Sequence, residues 1–231
     1  MATSGVYSWS PAAAELVLNA FARIGIRRPA LEAQHLQDAA MEANLLQVEF
    51  TNRQPLWWTS EEITQVLTAE DGEYDLAARV VTVIAAYIST TDGDQITDRI
   101  ITPISTYDYA AMPNKLTPTG VPTVFKFETL STPKITLWQV PNDATTYTLK
   151  LRVLCQPEDV LLPSGVNVDT PYRFLDAYTA GLAHRLARIY KPEAEQARMA
   201  DYERAWNLAA NQDVEDVPMW IMPTLARYYQ Q

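Results

Sequence analysis

The residues able to do chemistry are few and scattered. Three acids fall close together in "TTDGDQITD", at Asp92, Asp94 and Asp98. A calcium loop of the EF-hand type needs oxygen ligands at positions 1, 3 and 5, a glycine at 6 and a glutamate at 12. With Asp92 first and Asp94 third, Thr97 falls at the sixth place and Pro103 at the twelfth, so the pattern fails. The run reads instead as a polar turn between strands. Carboxylates also stand side by side at Glu61–Glu62 and Glu158–Asp159. Glycoside hydrolysis needs two carboxylates about 5–10 Å apart across a cleft, and a chain with 28 acids makes adjacent pairs by chance. His35 and His184 are the only histidines, and neither has a His, Cys or carboxylate four residues away, as a helix-borne metal site would require. Both read as packed or surface residues. With seven glycines and no G-x-S-x-G, Walker or G-x-G-x-x-G pattern, nothing marks a nucleophile elbow or a phosphate cradle. We therefore read no catalytic, cofactor-binding or metal-ligating set.

Cys155 is the lone cysteine, so no internal disulfide can form. It lies in the strand-like "LKLRVLCQ", where a small buried apolar role is expected. The first residues, "MATSGVYSWSP", lack the basic start and apolar core of a signal peptide, and no run of about 18 apolar residues occurs. Folding and assembly are expected in a reducing cytoplasm. The 231 residues are 48% hydrophobic and 20% charged, an ordinary balance for a folded chain, but net charge is −10. Sequence-independent binding to nucleic acid draws its affinity from phosphate contacts. Tight binding to free duplex DNA is not expected, although an acidic wall that keeps DNA from sticking is compatible with this charge.

The elements that would position these residues change in texture along the chain. In the first third, Ser10 reads as an N-cap with Pro11 at the first helical position. Leu16, Val17, Ala20, Phe21 and Ile24 then recur at helical spacing, and Gly25 can end the helix. Pro29 can open a second helix with a stripe of Leu31, Leu36, Ala39, Ala43, Leu46 and Phe50, stopped by "NRQPLWWT". The middle is rich in Thr, Val, Ile and Tyr. The segments "EEITQVLTA", "PTVFKFET", "KITLWQV" and "TYTLKLRVL" alternate as half-buried strands, and "ITPISTYDYAAMPNK" holds a short helix entered through Ser105 or Thr106. In the last third, "DTPYRFLDAYTAGLAHRLARIY" has Asp169 or Thr170 as cap, Pro171 at the first position and an amphipathic stripe of Leu175, Tyr178, Leu182, Leu186 and Ile189. A further helix opens at Pro192 with Glu193 and Glu195 at its positive end. The final "DVEDVPMWIMPTLARYYQQ" has little helical period and is too apolar to be left in water.

The expected fold is α+β. Two αα-hairpins, residues 1–60 and 166–211, pack into one helical bundle. An antiparallel β-rich body, residues 61–165, is set between them, and an extended arm, residues 212–231, follows. Aromatic residues are the strongest signal of partners. Trp57 and Trp58 are adjacent and point different ways, one into the core and one at a rim. Trp206 sits on the last helix, and Trp220, Tyr228 and Tyr229 sit in the arm. Trp and Tyr beyond the last helix point to docking on another chain.

The order and spacing of these pieces resemble the head-to-tail adaptor proteins of tailed, short-tailed bacteriophages. The matching runs are "LNAFARIGI", "LEAQHLQDAAMEANLLQVEF" and "LWW", then "GEYDLAARVVTVIAAYI", "PISTYDYAAMPNK" and "TGVPTVFKFE". "PKITLWQVPNDATTYTLKLRVL" and "TPYRFLDAYTAGLAHRLARIYKP" complete the series. The likeness runs from about Ser10 to Ala210. It departs at "YDLAARV", where a proline is expected after the leucine, and leaves the arm from about Asp213 uncovered. It implies a non-enzymatic structural protein of the virion neck, without cofactor. Such proteins assemble in the host cytoplasm as rings, typically dodecamers, under the portal. They carry the tail or nozzle and let genome DNA pass unread. The C-terminal arm is then expected to reach the portal. Portal or neighbour-subunit contacts are expected among Arg27, Arg28, Trp58, Trp206, Trp220, Tyr228 and Tyr229. A tail-associated peptidoglycan hydrolase and a non-viral scaffold or binding module are the other readings.

The turn "RIGIRRP" shows what the resemblance adds. Arg27 and Arg28 follow the first helix's C-terminus, where each positive charge contributes about 0.3–1 kcal/mol. In a ring, exposed arginines at such a corner are expected to pair with an acidic neighbour or the portal in preference to DNA.

Overall fold

The structure is a computed structural model that describes residues 5, 9–92, 95–115, 117, 120–142, 147–162 and 165–214. Helices α1 (Ala13–Arg23) and α2 (Ala33–Arg53) come first. Seven strands follow, interrupted by one short helix, and α4 (Leu175–Tyr190) and α5 (Glu195–Ala210) close the described chain. The α+β layout of helical hairpins around a β body is as the sequence predicts.

Proline placement shifts the helix starts. Pro11 does not begin α1, because Ala12 is pinned in a bridge to Asn167 and the Ala13 N–H donates to the Val166 carbonyl at 2.9 Å. Ser10 therefore caps nothing, and the helix begins at Ala13. Pro29 and Pro192 lie inside single 3-10 turns, Arg28–Ala30 and Pro192–Ala194, and Pro171 immediately precedes a third, Tyr172–Phe174. A fixed φ near −65° suits a 3-10 turn as well as a helical first turn. Neither Asp169 nor Thr170 caps α4; Asp169 accepts the Glu158 N–H at 3.1 Å instead. At the other end of α1 the chain behaves as read. Gly25 takes φ 83°, its N–H donates to Ala22, and the Ile26 N–H reaches back to Phe21, which closes the helix through a left-handed glycine. His35 has a structural task at the start of α2, where its Nδ1 accepts the Glu32 N–H at 3.1 Å.

The four long helices share one core. Its members include Leu16, Val17, Ala20 and Phe21 from α1, Ala39, Ala43, Leu46 and Phe50 from α2, and Tyr202, Trp206 and Ala209 from α5. Helix α4 is buried on nearly every side, not along the single stripe predicted: Ala177, Thr179, Ala180, Gly181, Ala183, His184 and Ala187 are buried along with Leu175, Tyr178, Leu182 and Leu186. Ile189, the last of the predicted stripe, is exposed. Small residues let three helices approach α4 at once. Gly181 is the tightest point, since a Cβ there would meet Leu46 Cδ1 at 2.8 Å and Tyr202 Cε2 at 2.9 Å. Polar contacts tie the same helices at their rim. Arg185 of α4 bonds Glu42 (3.0 Å) and Glu49 (2.7 Å) of α2, and Arg53 of α2 bonds Glu203 of α5 at 2.6 Å.

The β body has a core of its own, built on Ile88, Phe125, Ile135, Leu137, Leu149, Leu151 and Val153. Its strands are β1 (Ser60–Val66), β2 (Glu73–Asp75), β3 (Val80–Asp92), β4 (Gln95–Pro103), β5 (Val124–Glu128), β6 (Lys134–Trp138) and β7 (Tyr147–Cys155). They form one sheet in the order β1-β7-β3-β4-β5-β6-β2. All pairs are antiparallel except β4 with β5, which meet in parallel at Thr102–Val124 and Pro103–Phe125, so the sheet is mixed where an antiparallel body was expected. Two register shifts of β3 against β7, at Val80/Thr82 and Val83/Ala85, bend the long strand and break its alternation. Asp92 pairs with Gln95 at the ends of β3 and β4, and Gly93 and Asp94, where the polar turn is expected, lie outside the described residues. Between β4 and β5, α3 (Thr106–Ala111) is capped by Ser105, whose Oγ accepts the Asp108 N–H at 3.0 Å.

A substitution at Gly181 tests the account of α4. We expect Gly181→Val to lower unfolding free energy by about 2–3 kcal/mol, because the added branches overpack against Leu46 and Tyr202. Chemical denaturation with unchanged far-ultraviolet dichroism is the measurement. A variant as stable as the parent would show that α4 has room to spare.

Candidate interaction site at the root of the C-terminal arm

Several of the chemically capable groups are engaged within the chain. Cys155 is buried and donates through Sγ to Glu61 Oε1 at 3.1 Å. Burial first, and then the Glu61 carboxylate, push its thiol up to about 12, which disfavours the thiolate. Glu61 also pairs with Arg79 at 2.8 Å. Glu62, on the opposite face of β1, accepts from the Tyr87 hydroxyl at 3.1 Å, so the adjacent pair does not share a cleft. Glu61, Glu158, Asp159 and Asp169 do line one cleft of about 700 Å³ between the two cores. There Glu61 is held by Cys155 and Arg79, and Asp169 by the Glu158 amide. His184 is buried; desolvation, and then the field of Arg188, hold its pKa below the ordinary value, and its ring packs on Tyr202. Among the described residues no group of three or more His, Cys, Asp or Glu is placed to hold a metal ion.

What the structure does assemble is a block of aromatic side chains under the start of the arm. Trp58 follows α2 in the turn Trp57–Thr59, and its ring lies 4.5 Å from Phe174. Phe174 meets Trp206 of α5 at 5.6 Å, and Trp206 meets Phe50 of α2 at 4.6 Å. Arg53 lies over the Tyr202 ring at 4.6 Å and the Trp206 ring at 5.2 Å. Trp58 and Trp206, picked from sequence as outward contacts, are thus gathered around Phe174 by their own chain. Trp206 is only 6% exposed and is a core residue, and Trp58 packs against the same core from its edge.

Above this block the chain leaves α5 and is clamped. Asp213 is buried, and its carboxylate accepts from Arg173 Nη2 at 2.5 Å and from the Trp57 N–H at 3.1 Å. Arg173 in turn lies over the Trp58 and Phe174 rings. One carboxylate therefore joins the end of α5 to the turn before β1 and the turn before α4. Sequence reasoning missed this clamp, since Arg173 and Asp213 are 40 residues apart and neither stands in a motif.

Arg27 and Arg28 take no part in this clamp. Both are exposed at the α1–α2 corner, and neither has an ion-pair partner among the described residues. Arg28 borders a groove of about 500 Å³ that also takes in Trp9, Leu18, Ala22 and Tyr172. Trp220, Tyr228 and Tyr229 lie outside the described residues.

The fold and the site define a class: an α+β protein with two cores, in which the chain leaving α5 is held at Asp213. The chain belongs to the SU10 adaptor protein family, whose sequence model matches residues 12–226. It is a phage structural adaptor, in keeping with the head-to-tail adaptors that its sequence resembles. The match takes in both helical hairpins and the β body, and it continues past Asp213 into the arm, where the resemblance had been expected to stop. A comparison with curated proteins returns no match. No helix among the described residues is long and apolar enough to cross a membrane.

The clamp gives a direct prediction. Removing a buried carboxylate that holds a guanidinium and an amide costs roughly 2–3 kcal/mol. Asp213→Ala should therefore lower the melting temperature by about 4–12 °C. A shift under about 1 °C in a calorimetric scan would mean that Asp213 bears no load.

Proposed function

We propose that the chain forms a closed ring between the portal at the capsid vertex and the tail, seals the genome channel and lets DNA pass during ejection. The observation that carries this reading is the family match, which spans the helical bundle, the β body and most of the arm. A ring of identical copies uses heterologous contacts, in which one face of each subunit meets a different face of the next. A charge of −10 suits a wall past which DNA must slide, because repulsion keeps the phosphates from sticking. Copy number in this reading is about twelve, a closed rotational symmetry.

The arm is the proposed portal contact. Its sequence carries Met219, Trp220, Ile221, Met222, Leu225, Tyr228 and Tyr229 within a short span, a composition typical of binding hot spots. The clamp at Asp213 fixes the point from which it departs. Arg27 and Arg28, exposed at the corner of the first hairpin, are proposed to meet acidic groups of the neighbouring subunit or of the portal.

Truncation after Val214 keeps the clamp and removes the arm. The truncated chain should retain its helical dichroism and lose at least about tenfold in affinity for purified portal rings. Arg27→Glu with Arg28→Glu, in the same pull-down, should weaken portal binding or ring formation. Undiminished portal binding by the truncated chain would remove the arm from the contact, and an unaffected charge-reversed variant would leave the two arginines as a solvated turn.

A further inference from the structure

Among the described residues, the four-stranded section β1-β7-β3-β4 has an open edge on each side. In the stretch β1-β7-β3-β4 every neighbouring pair is antiparallel. β1 pairs only with β7, and β4 from Gln95 to Ile101 pairs only with β3, since β5 joins it at Thr102 and Pro103. Soluble proteins blunt such edges with proline, charged side chains (lysine above all), a bulge or a cover. Gln95–Ile101 carries Asp98 and Arg99 but no proline or lysine, its register against β3 is unbroken, and every residue from Gln95 to Ile100 is exposed. Ile96 and Ile100 are 69% and 83% exposed, and Val66 on β1 is 59% exposed. These three side chains share a face of the sheet. Ile100 stands opposite Tyr87, Tyr87 opposite Lys150, and Lys150 opposite Thr64, and alternate residues along each strand point the same way.

Strand direction decides what fits. β1 and β3 run one way, β7 and β4 the other. A second copy in the same orientation, set beside β4, brings its β1 antiparallel to β4, so the alternation continues from copy to copy. That is the heterologous contact a ring needs. We propose that residues 95–101 of one copy pair antiparallel with Ser60–Val66 of the next, joining the four-stranded sections into a sheet that runs from subunit to subunit. The proposal rests on the ring reading above. Keeping the shared faces aligned restricts the register to steps of two. Of the two face-aligned registers with equal, fullest overlap, the one that brings exposed apolar ends together sets Val66 against Ile96, Thr64 against Asp98 and Glu62 against Ile100. Main-chain hydrogen bonds supply the attraction, and the Val66–Ile96 contact favours this register.

The test uses assembled particles carrying Thr64→Cys together with Asp98→Cys, two exposed positions, with buried Cys155 left in place. Directly opposed residues of an antiparallel pair have Cα atoms about 4.5–5.5 Å apart, within reach of a disulfide. Mild oxidation should give a ladder of covalent multimers on non-reducing gels, collapsing to monomer on reduction, while each single variant stays monomeric. Val66→Cys with Ile96→Cys serves as the second pair should the first disturb assembly. Thr64→Cys with Thr97→Cys, on opposite faces, should give no ladder. Rings seen in micrographs with no ladder from Thr64→Cys paired with cysteine at 96, 98 or 100 would overturn the strand pairing and leave the ring reading standing. Particles without rings would overturn both. Dimers from Asp98→Cys alone would reveal a two-fold β4–β4 contact, and a cross-link to a different virion protein would reveal a strand lent by another partner; either overturns the proposal.

Discussion

The helical half of the molecule depends on α4 being surrounded. Its alanines and Gly181 hold neighbours so close that a single added carbon at position 181 would touch both Leu46 of α2 and Tyr202 of α5. Dense interiors do not deform continuously, so contacts of this kind fix the spacing of the helices they join. Neither hairpin can complete its core alone. The first lacks a cover for Phe21 and Phe50 without α4, and the second exposes Tyr178 and Leu182 without α1 and α2. The two hairpins complete one core between them, with the β body placed between them in sequence.

From that constraint the rest of the layout follows. Packing α2 and α5 against α4 brings Phe50, Phe174 and Trp206 together, and Trp58 closes the block from the turn that leads into β1. Asp213 then bonds Arg173 and the Trp57 amide, so the point where the arm leaves is set by the same residues that connect the helical core to the sheet. The end of α5, the turn before α4 and the turn before the first strand thus share one anchor. The sheet is built differently. It is bent by two register shifts in β3, and its β4 edge is left open over most of its length.

Much of this was legible in the sequence, and the misses have physical causes. Period and composition located four long helices, the short capped α3 and the strands β1, β5, β6 and β7, because each buries a face that repeats at its own spacing. Gly25 was readable since a left-handed helix end favours that residue. Helix starts were misplaced at Pro11, Pro29 and Pro171, where a bridge to Asn167 or a 3-10 turn uses the fixed proline φ equally well. The burial of α4 on all sides was hidden because alanine and glycine count as neutral in a hydrophobic pattern. β3 does not alternate cleanly where it bulges, and the parallel meeting of β4 and β5 joins residues about twenty apart that no local pattern relates. At the site, Trp58 and Trp206 were rightly singled out as large and unusual, but their partners turned out to be within the chain. The Arg173–Asp213 clamp left no trace in spacing at all.

Electron cryomicroscopy of the particle neck tests most directly the proposal that this chain is a ring subunit between portal and tail. A ring subunit will give a closed, rotationally symmetric density directly below the portal, into which the helical bundle and β body fit, with density continuing from Asp213 toward the portal. Density elsewhere in the particle, or copies without a closed symmetric arrangement at the neck, would contradict it.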